Sequence, residues 1–355
     1  MTVRMADPSE VEGWDDLIVA NPDGGDVWRS RDYAEQKRFN GYHPVHLMVD
    51  GLAVTVLEKR VVALGKLWYL PGGPGVVGVD GVISVVDLLA EFARAHGVFA
   101  VKIEPKIRFG DVERGQLLAR GFRQARSIAA NSSTIVLDIS GEPTEVMSRF
   151  STRARRWIRR AERDGVRVDR VPATPANCRL VFDLLSDTAK GRFGIRSYEY
   201  YEEFWGRYES SGNGQLFVAR FEGEVMAGGF AMKLGRNAYY MNGASVRKRE
   251  DSSAQSGLGA HGVGHAVQWA MIEWARESGC VRYDMGGTPP AAFADDKAHP
   301  FHGIGQFKQS FSYDIVDYLG AYDLPLSRAR YALWQKVLER EARRFTMIVR
   351  KDYYW

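Results

Sequence analysis

Between Arg149 and Val171 the chain reads RFSTRARRWIRRAERDGVRVDRV, with nine arginines against Glu162, Asp164 and Asp169. Apolar residues recur at Val146, Met147, Phe150, Ala154, Trp157, Ile158 and Ala161, the spacing of a helix with one face on a core. That spacing predicts a single helix over 144–164, stopped by Gly165. Arg149, Arg153, Arg156, Arg160 and Arg163 then form a ladder on its outward face, with Arg155 and Arg159 beside it. Planar guanidinium groups on a rigid face suit a polyanion such as RNA phosphate. A solvated basic face on an ordinary amphipathic helix satisfies the same pattern, so the segment alone leaves both readings open.

Other familiar chemistry is missing from the sequence. Cys178 and Cys280 have neither metal spacing nor a disulfide framework, and the seven histidines are scattered. No Ser-His-Asp or Cys-His constellation is visible. The expectation is therefore no metal site and no covalent enzyme intermediate. Gly259-x-x-Gly262-x-Gly264, ahead of HAVQWAMIEWA, offers backbone amides to a pyrophosphate, although glycines so spaced equally mark a loop.

The elements that must position such groups are those of a globular enzyme. Of the 355 residues, 45% are hydrophobic and 26% charged, which fits one large domain or two of medium size. No apolar run reaches spanning length and the start MTVRMADPSE has no secretory pattern, so a cytoplasmic protein is expected. The formal charge is only +4, yet cations concentrate in 149–170 and in a C-terminal helix over 327–351 that carries Arg328, Arg330, Lys336, Arg340, Arg343, Arg344, Arg350 and Lys351. Local basic zones on a nearly balanced chain point to a located anionic partner.

One order of elements occurs twice. Strands are predicted near 2–5, 44–49, 52–59, 66–70, 98–103 and 132–138, with helices near 9–20, 30–40, 84–96 and 111–120. The second copy has strands near 166–171, 215–221, 225–233, 238–244, 281–285 and 313–318, with helices near 175–189, 198–210, 262–278 and 303–310. The repeated β-α-α-β-β-β-α-β-α-β order predicts an α/β protein with mixed sheets. It resembles tandem GNAT acyltransferase-like domains followed by a C-terminal helix. The expected boundaries are 1–143 for the first domain and 144–355 for the second, with the Arg-rich helix as the link.

Short motifs then line up in order: WRSRDYAEQK (28–37), YLPGGPG (69–75), VKIEP (101–105), RARRWIRRAERDGVRV (153–168), GRFGIRSYEYY (191–201), YYMNGAS (239–245), RYDMGG (282–287) and FKQSF (307–311). As an ordered set they resemble the FemABX family of tRNA-dependent aminoacyltransferases, the peptidoglycan bridge-forming or non-ribosomal peptidyltransferases. No long heptad run is present, so the resemblance is to the compact type without a coiled-coil arm. It implies that an amine of a peptide acceptor attacks the ester of an aminoacyl-tRNA, giving an amide and free tRNA. The acceptor is a muramyl-peptide precursor, nucleotide- or lipid-linked, or a natural-product peptide. No cofactor is implied beyond aminoacyl-tRNA as co-substrate. The first domain would serve the acceptor and the second the aminoacyl-tRNA.

The resemblance also implies roles for residues. Lys308, between Phe307 and Phe311 after a glycine-rich turn, matches the family lysine near the reacting ester, where a cation would meet the oxyanion. Glu104 matches an acidic residue near the acceptor and is a candidate base, or else a strand-end carboxylate paired with Lys102 or Lys106. Lys37 matches a phosphate-binding lysine, with Arg192 or Arg196 as its partner in clamping a pyrophosphate between the two domains. Tyr240 is a candidate for the acceptor pocket, since Tyr239 and Tyr240 point to opposite faces of a strand. Arg153, Arg156 and Arg160 are the tRNA contacts, and Phe307 lies against a ribose or base, or in the core. Two competing readings are an acyl-CoA-dependent GNAT-type N-acyltransferase and a non-catalytic RNA-binding scaffold. The amino acid transferred and the oligomeric state are not written in the sequence.

Overall fold

A computed structural model describes residues 2–128, 131–190, 193–246, 260–349 and Tyr354. The chain divides into two compact units, Met1–Ser132 with Asp317–Trp355, and Ser133–Val316.

The first unit is built on β1 (Val3–Met5), β2 (His43–Val49), β3 (Leu52–Val61), β4 (Gly65–Leu70), β5 (Val98–Ile103) and β6 (Arg123–Ala125). β1 to β4 run antiparallel, each to the next, whereas β4 and β5 are parallel. A parallel pair needs a crossover, and the helix Val79–Ala95 supplies it. Its Val82, Val86, Leu89 and Ala93 recur at helical spacing and are buried with Leu47, Val56 and Val101 of the sheet. Between β2 and β3, Asp50 and Gly51 both take positive φ, 51° and 88°, as the two central residues of a tight hairpin turn require.

The second unit repeats this order with β7 (Ser133–Asp138), β8 (Arg167–Val171), β9 (Gly214–Phe221), β10 (Glu224–Leu234), β11 (Asn237–Ser245), β12 (Arg282–Gly287) and β13 (Ile315–Asp317). Glu222 and Gly223, with φ of 50° and 85°, turn β9 into β10 as Asp50 and Gly51 turn β2 into β3. The helix Val263–Glu277 is the crossover from β11 to the parallel β12, and its Val267, Met271 and Ala275 enter the core.

The last strands correct the expected boundaries. The sheet of the second unit runs β13-β7-β12-β11-β10-β9-β8, so the strand predicted at 132–138 to close the first domain belongs to the second. In exchange, β14 (Ala321–Pro325), which the sequence reading missed, lies between β5 and β6. Asp323 and Lys102 are register partners there, and their buried side chains pair at 2.8 Å. The division is therefore not 1–143 and 144–355: the tail after Val316, C-terminal helix included, belongs with the first unit.

A second correction concerns the Arg-rich helix. It is two helices, Pro143–Arg149 and Thr152–Arg163. Phe150 is extended (ψ 154°) and buried, edge-on to Trp269 and Phe311, and Ser151 caps the second helix by accepting from the Ala154 N–H. The period of apolar residues runs straight through the break because Phe150 is a core residue on either side of it. Arg149 thereby leaves the ladder and donates to the carbonyl oxygen of Ser140 at 2.7 Å.

Candidate active site

The site arises where two strands stop pairing. β11 and β12 share only three register pairs, Asn237↔Arg282, Ala238↔Tyr283 and Tyr239↔Asp284. Beyond them β11 stays with β10 through a bulge at Met241, and β12 stays with β7 through a bulge at Met285 and Gly286. Bulges on the two neighbours bend them apart, so the sheet opens at their carboxyl ends. The equivalent strands of the first unit do not separate: β4 and β5 remain paired as far as Leu70↔Ile103. Among the described residues, only the second unit has the wedge.

Lys308 reaches the end of β12 from the helix His302–Gln309. A Cβ at Gly305 would stand 2.5 Å from Pro289 Cδ, so a glycine lets this helix settle on the segment that follows β12. Lys308 is buried, and its Nζ donates to the carbonyl oxygen of Gly287 at 2.6 Å. Burial pushes its pKa down to about 8, while the nearby Asp284 carboxylate pulls the other way. The ammonium also lies 5.7 Å from the centre of the Tyr240 ring. Asp284 Oδ1 accepts from the Gly286 N–H at 2.8 Å, and the Thr134 hydroxyl sits between Asp284 and the Gly286 carbonyl.

Tyr240 is half-buried on β11, its phenol pushed up to about 12 by burial, with a hydrogen bond to Gln268 opposing. A Cβ at Gly243 would stand 1.6 Å from the Tyr240 hydroxyl, so any larger residue there would displace the Tyr240 ring. Tyr239 is buried separately, with its hydroxyl beside Gly286. Gln268 is buried and accepts from Tyr283 at 3.0 Å. The contributions of Gln268 and Thr134 are not visible in the sequence, since Thr134 lies near no motif and Gln268 follows glycines whose spacing points to a loop or a pyrophosphate rather than to this site.

The Arg helix is tied to this segment. The Ser151 hydroxyl donates to the carbonyl oxygen of Ser310. Arg153, Arg156 and Arg160 are exposed, and the guanidinium groups of Arg156 and Arg160 lie 5.7 Å and 5.2 Å from the Trp157 ring centre. Trp157 stacks on His265, which contacts the Ser310 hydroxyl at 2.9 Å through Nε2. Burial, followed by the charge of Arg153, pushes His265 down to about 4. Phe307 packs edge-on against His265 and Phe311 at the margin of the core.

In the first unit, Lys37 and Glu104 are both buried. Lys37 ends the helix Arg31–Gln36, with its Nζ 5.2 Å from the Tyr33 ring centre. Glu104 accepts from the Tyr69 hydroxyl at 2.6 Å and from the Ile128 N–H. Burial and then the Glu104 charge hold the Tyr69 phenol far above its ordinary range. Lys102 pairs with Asp323, and Lys106 with Asp26 at 2.7 Å. In the second unit Arg196 is half-buried before the capping Ser197, its guanidinium 4.8 Å from the Tyr200 ring centre. Arg192 and Gly259 lie outside the described residues. Gly262 (φ 69°) is filled from above: a Cβ there would meet the Trp157 carbonyl oxygen at 2.3 Å.

Comparison with known proteins bears on this geometry. Residues 148–298 match the family described as the acetyltransferase (GNAT) domain. The Lipid II:glycine glycyltransferase of Staphylococcus aureus (strain MRSA252) is 21% identical over 95% of this chain and 96% of its own length. The structure of FemX aligns with a TM-score of 0.77 at 20% identity, covering 95% of this chain and 100% of that one. The chain has the fold of FemX. A putative lysylphosphatidylglycerol synthetase domain from Agrobacterium fabrum shares the fold at a TM-score of 0.51 and 15% identity, over 93% of this chain and 96% of that one. The alignment with the glycyltransferase spans 424 positions against 355 residues here, so that relative carries segments this chain lacks. The GNAT match includes β11 and β12, the strands that part, and ends before Lys308.

Proposed function

We propose that this chain is an aminoacyltransferase that moves the aminoacyl group of an aminoacyl-tRNA onto an amine of a muramyl-peptide precursor. The likeness to Lipid II:glycine glycyltransferase supports the acceptor class. The observation that carries the chemistry is Lys308: a buried cation fixed by one hydrogen bond to Gly287 at the mouth of the strand wedge. An ammonium has three donors, so two remain for a substrate. The amine nitrogen attacks the ester carbonyl carbon, and the carbonyl oxygen becomes anionic. Lys308 stabilises that oxygen in surroundings of low dielectric, where a fixed charge acts most strongly. The carbon–oxygen bond to the ribose then breaks, the ribose oxygen takes the proton released by the amine, and an amide remains. An ester needs no prior enzyme acylation, so one such cation suffices.

The remaining residues are assigned by their surroundings. Arg153, Arg156 and Arg160 bind RNA phosphates, being exposed on one helix tied through Ser151 to the Lys308 segment. Tyr240 lines the acceptor side of the wedge. Lys37 takes an acceptor phosphate in the first unit, and Arg196, with Arg192 as the alternative, takes one in the second. Glu104 is the weaker candidate for base, because each of its oxygens already accepts a hydrogen bond. Phe307, which packs on His265 and Phe311 at the margin of the core, is the weakest of the RNA contacts.

An acyl-CoA donor receives less support. The glycine at the start of the Val263–Glu277 helix faces the Trp157 carbonyl oxygen, an acceptor that repels phosphate rather than cradling it. The test is a panel of labelled aminoacyl-tRNAs offered with nucleotide-linked and lipid-linked muramyl peptides, beside acetyl-CoA. Amide product that needs charged tRNA, and disappears on ribonuclease treatment, is the expected result. Product formed from acetyl-CoA with RNA absent overturns the proposal.

A further inference from the structure

The C-terminal helix is anchored at one end and bare at the other. Tyr331 and Trp334 are buried, the first donating to Asp323 at 3.0 Å and the second edge-on to Phe99. Leu333 between them, and Val337, Phe345, Met347 and Ile348 beyond them, are 47%, 45%, 63%, 47% and 66% exposed. The π turn Trp334–Leu338 takes more residues per turn than an α-helix, so it sets back the rotation of the helix Glu339–Val349 relative to the buried start. With that offset, Leu333, Val337, Phe345 and Ile348 fall on one outward face, and Lys336, Arg340 and Arg344 run along its edge. Glu341, which interrupts the apolar stripe, is paired with Arg340 at 3.0 Å.

Charge decides what this face fits. Residues 328–349 hold six cations (Arg328, Arg330, Lys336, Arg340, Arg343 and Arg344) and two anions (Glu339 and Glu341), a net +4. That equals the formal excess of the entire chain, so the other residues balance. A second copy would bring +4 against +4. RNA phosphate would use the arginines but gain nothing from Leu333, Val337 and Ile348, which offer no stacking surface. An apolar stripe edged with arginine and lysine is the pattern of a helix lying in a membrane interface. No described helix is long and apolar enough to cross a membrane, so the contact is with one surface.

We propose that the exposed face of this helix docks the protein on an anionic lipid bilayer. The proposal goes beyond aminoacyl transfer and stands without it: docking needs no tRNA, and turnover on a soluble acceptor needs no docking. The test is co-sedimentation of the full chain with vesicles of phosphatidylcholine alone or mixed with phosphatidylglycerol. Binding is expected only to the anionic vesicles and should weaken with salt. Arg340→Gln, Arg343→Gln and Arg344→Gln together should lower the partition constant on the order of 100-fold, at about one tenfold step or less per charge. Phe345→Ser with Ile348→Ser should lower it roughly 10-fold or more through lost apolar burial. That double variant should keep its melting temperature and its turnover on a soluble acceptor. Four results overturn the proposal: no binding to anionic vesicles, equal binding to neutral vesicles, anionic-vesicle binding unaffected by the double variant, or a dimer in sedimentation velocity that the double variant dissolves. RNA binding lost in both variants, with vesicle binding absent, would reassign the face to nucleic acid.

Discussion

Lys308 Nζ donates to the carbonyl oxygen of Gly287 across 2.6 Å. The lysine is thereby held at the carboxyl end of β12, where that strand has parted from β11. The bond fixes the direction of the ammonium without neutralising it, since a carbonyl carries no formal charge. The position is costly for the fold and useful for catalysis: desolvation disfavours the cation, and the same dry surroundings strengthen its action on an oxyanion.

Lys308→Met should separate those two effects. Turnover is expected to fall on the order of 100- to 1,000-fold, the usual loss for one fixed oxyanion donor. Stability should rise by roughly 1 kcal/mol, because the buried cation costs a few kcal/mol and the stranded Gly287 carbonyl returns part of that. Steady-state rates and a thermal melt on one preparation check both halves. A drop in melting temperature together with unchanged turnover would remove Lys308 from the mechanism.

The pH profile follows from the same group. Its ordinary value is 10.5 and the folded value about 8, so the cation needed for catalysis is lost as pH rises through about 8. Turnover should decline on that alkaline side. Between about 8 and 10.5 the unfolded chain binds more protons than the folded one, so the contribution of Lys308 to stability increases with pH across that window. Asp284→Asn removes the charge that holds the lysine protonated, and should move the alkaline limb to lower pH. A limb that stays in place would show that another group titrates there.

Much of this architecture is legible in the sequence, for identifiable reasons. Val82, Val86, Leu89 and Ala93 have helical spacing, and turns such as Asp50–Gly51 punctuate the strands, so most elements fall where periodicity puts them. Lys308 stands out because a lone lysine between phenylalanines after glycines is poorly explained as a solvated side chain. The exchange of β7 and β14 is not legible: a strand's alternation shows that one face is buried but not which sheet it joins. The break at Phe150 is hidden because its side chain serves the core in either conformation. Gly287 is silent for a different reason, since it acts through its main-chain carbonyl, which every residue possesses.

Gly262→Ala tests why that glycine is there. The added Cβ would meet the Trp157 carbonyl oxygen at 2.3 Å, at a backbone φ of 69° that L side chains rarely adopt. Strain and overpacking together should cost about 2 to 4 kcal/mol, read as a lower urea midpoint. If the glycine instead cradles a pyrophosphate, the variant keeps its stability and loses affinity for CoA in a calorimetric titration.

Arg153→Gln, Arg156→Gln and Arg160→Gln together test the basic helix. All three side chains are exposed, and the ion pair of Arg160 with Asp164 at 3.3 Å is a surface contact of little worth. The melting temperature should therefore stay within a few degrees. RNA affinity should fall, and the slope of log affinity against log salt should flatten by about 2 to 3, in proportion to the phosphates no longer neutralised. The loss should be similar for every tRNA, because phosphate contacts carry no sequence information. Trp157 fixes the geometry behind this expectation: Arg156 and Arg160 lie close to its ring, and the ring is itself stacked on His265. Trp157→Ala should thus reproduce part of the affinity loss while retaining the salt slope, since the charges remain but their positions relax. An unchanged slope in the triple variant would make the arginine ladder a solvated face and move the RNA contact elsewhere.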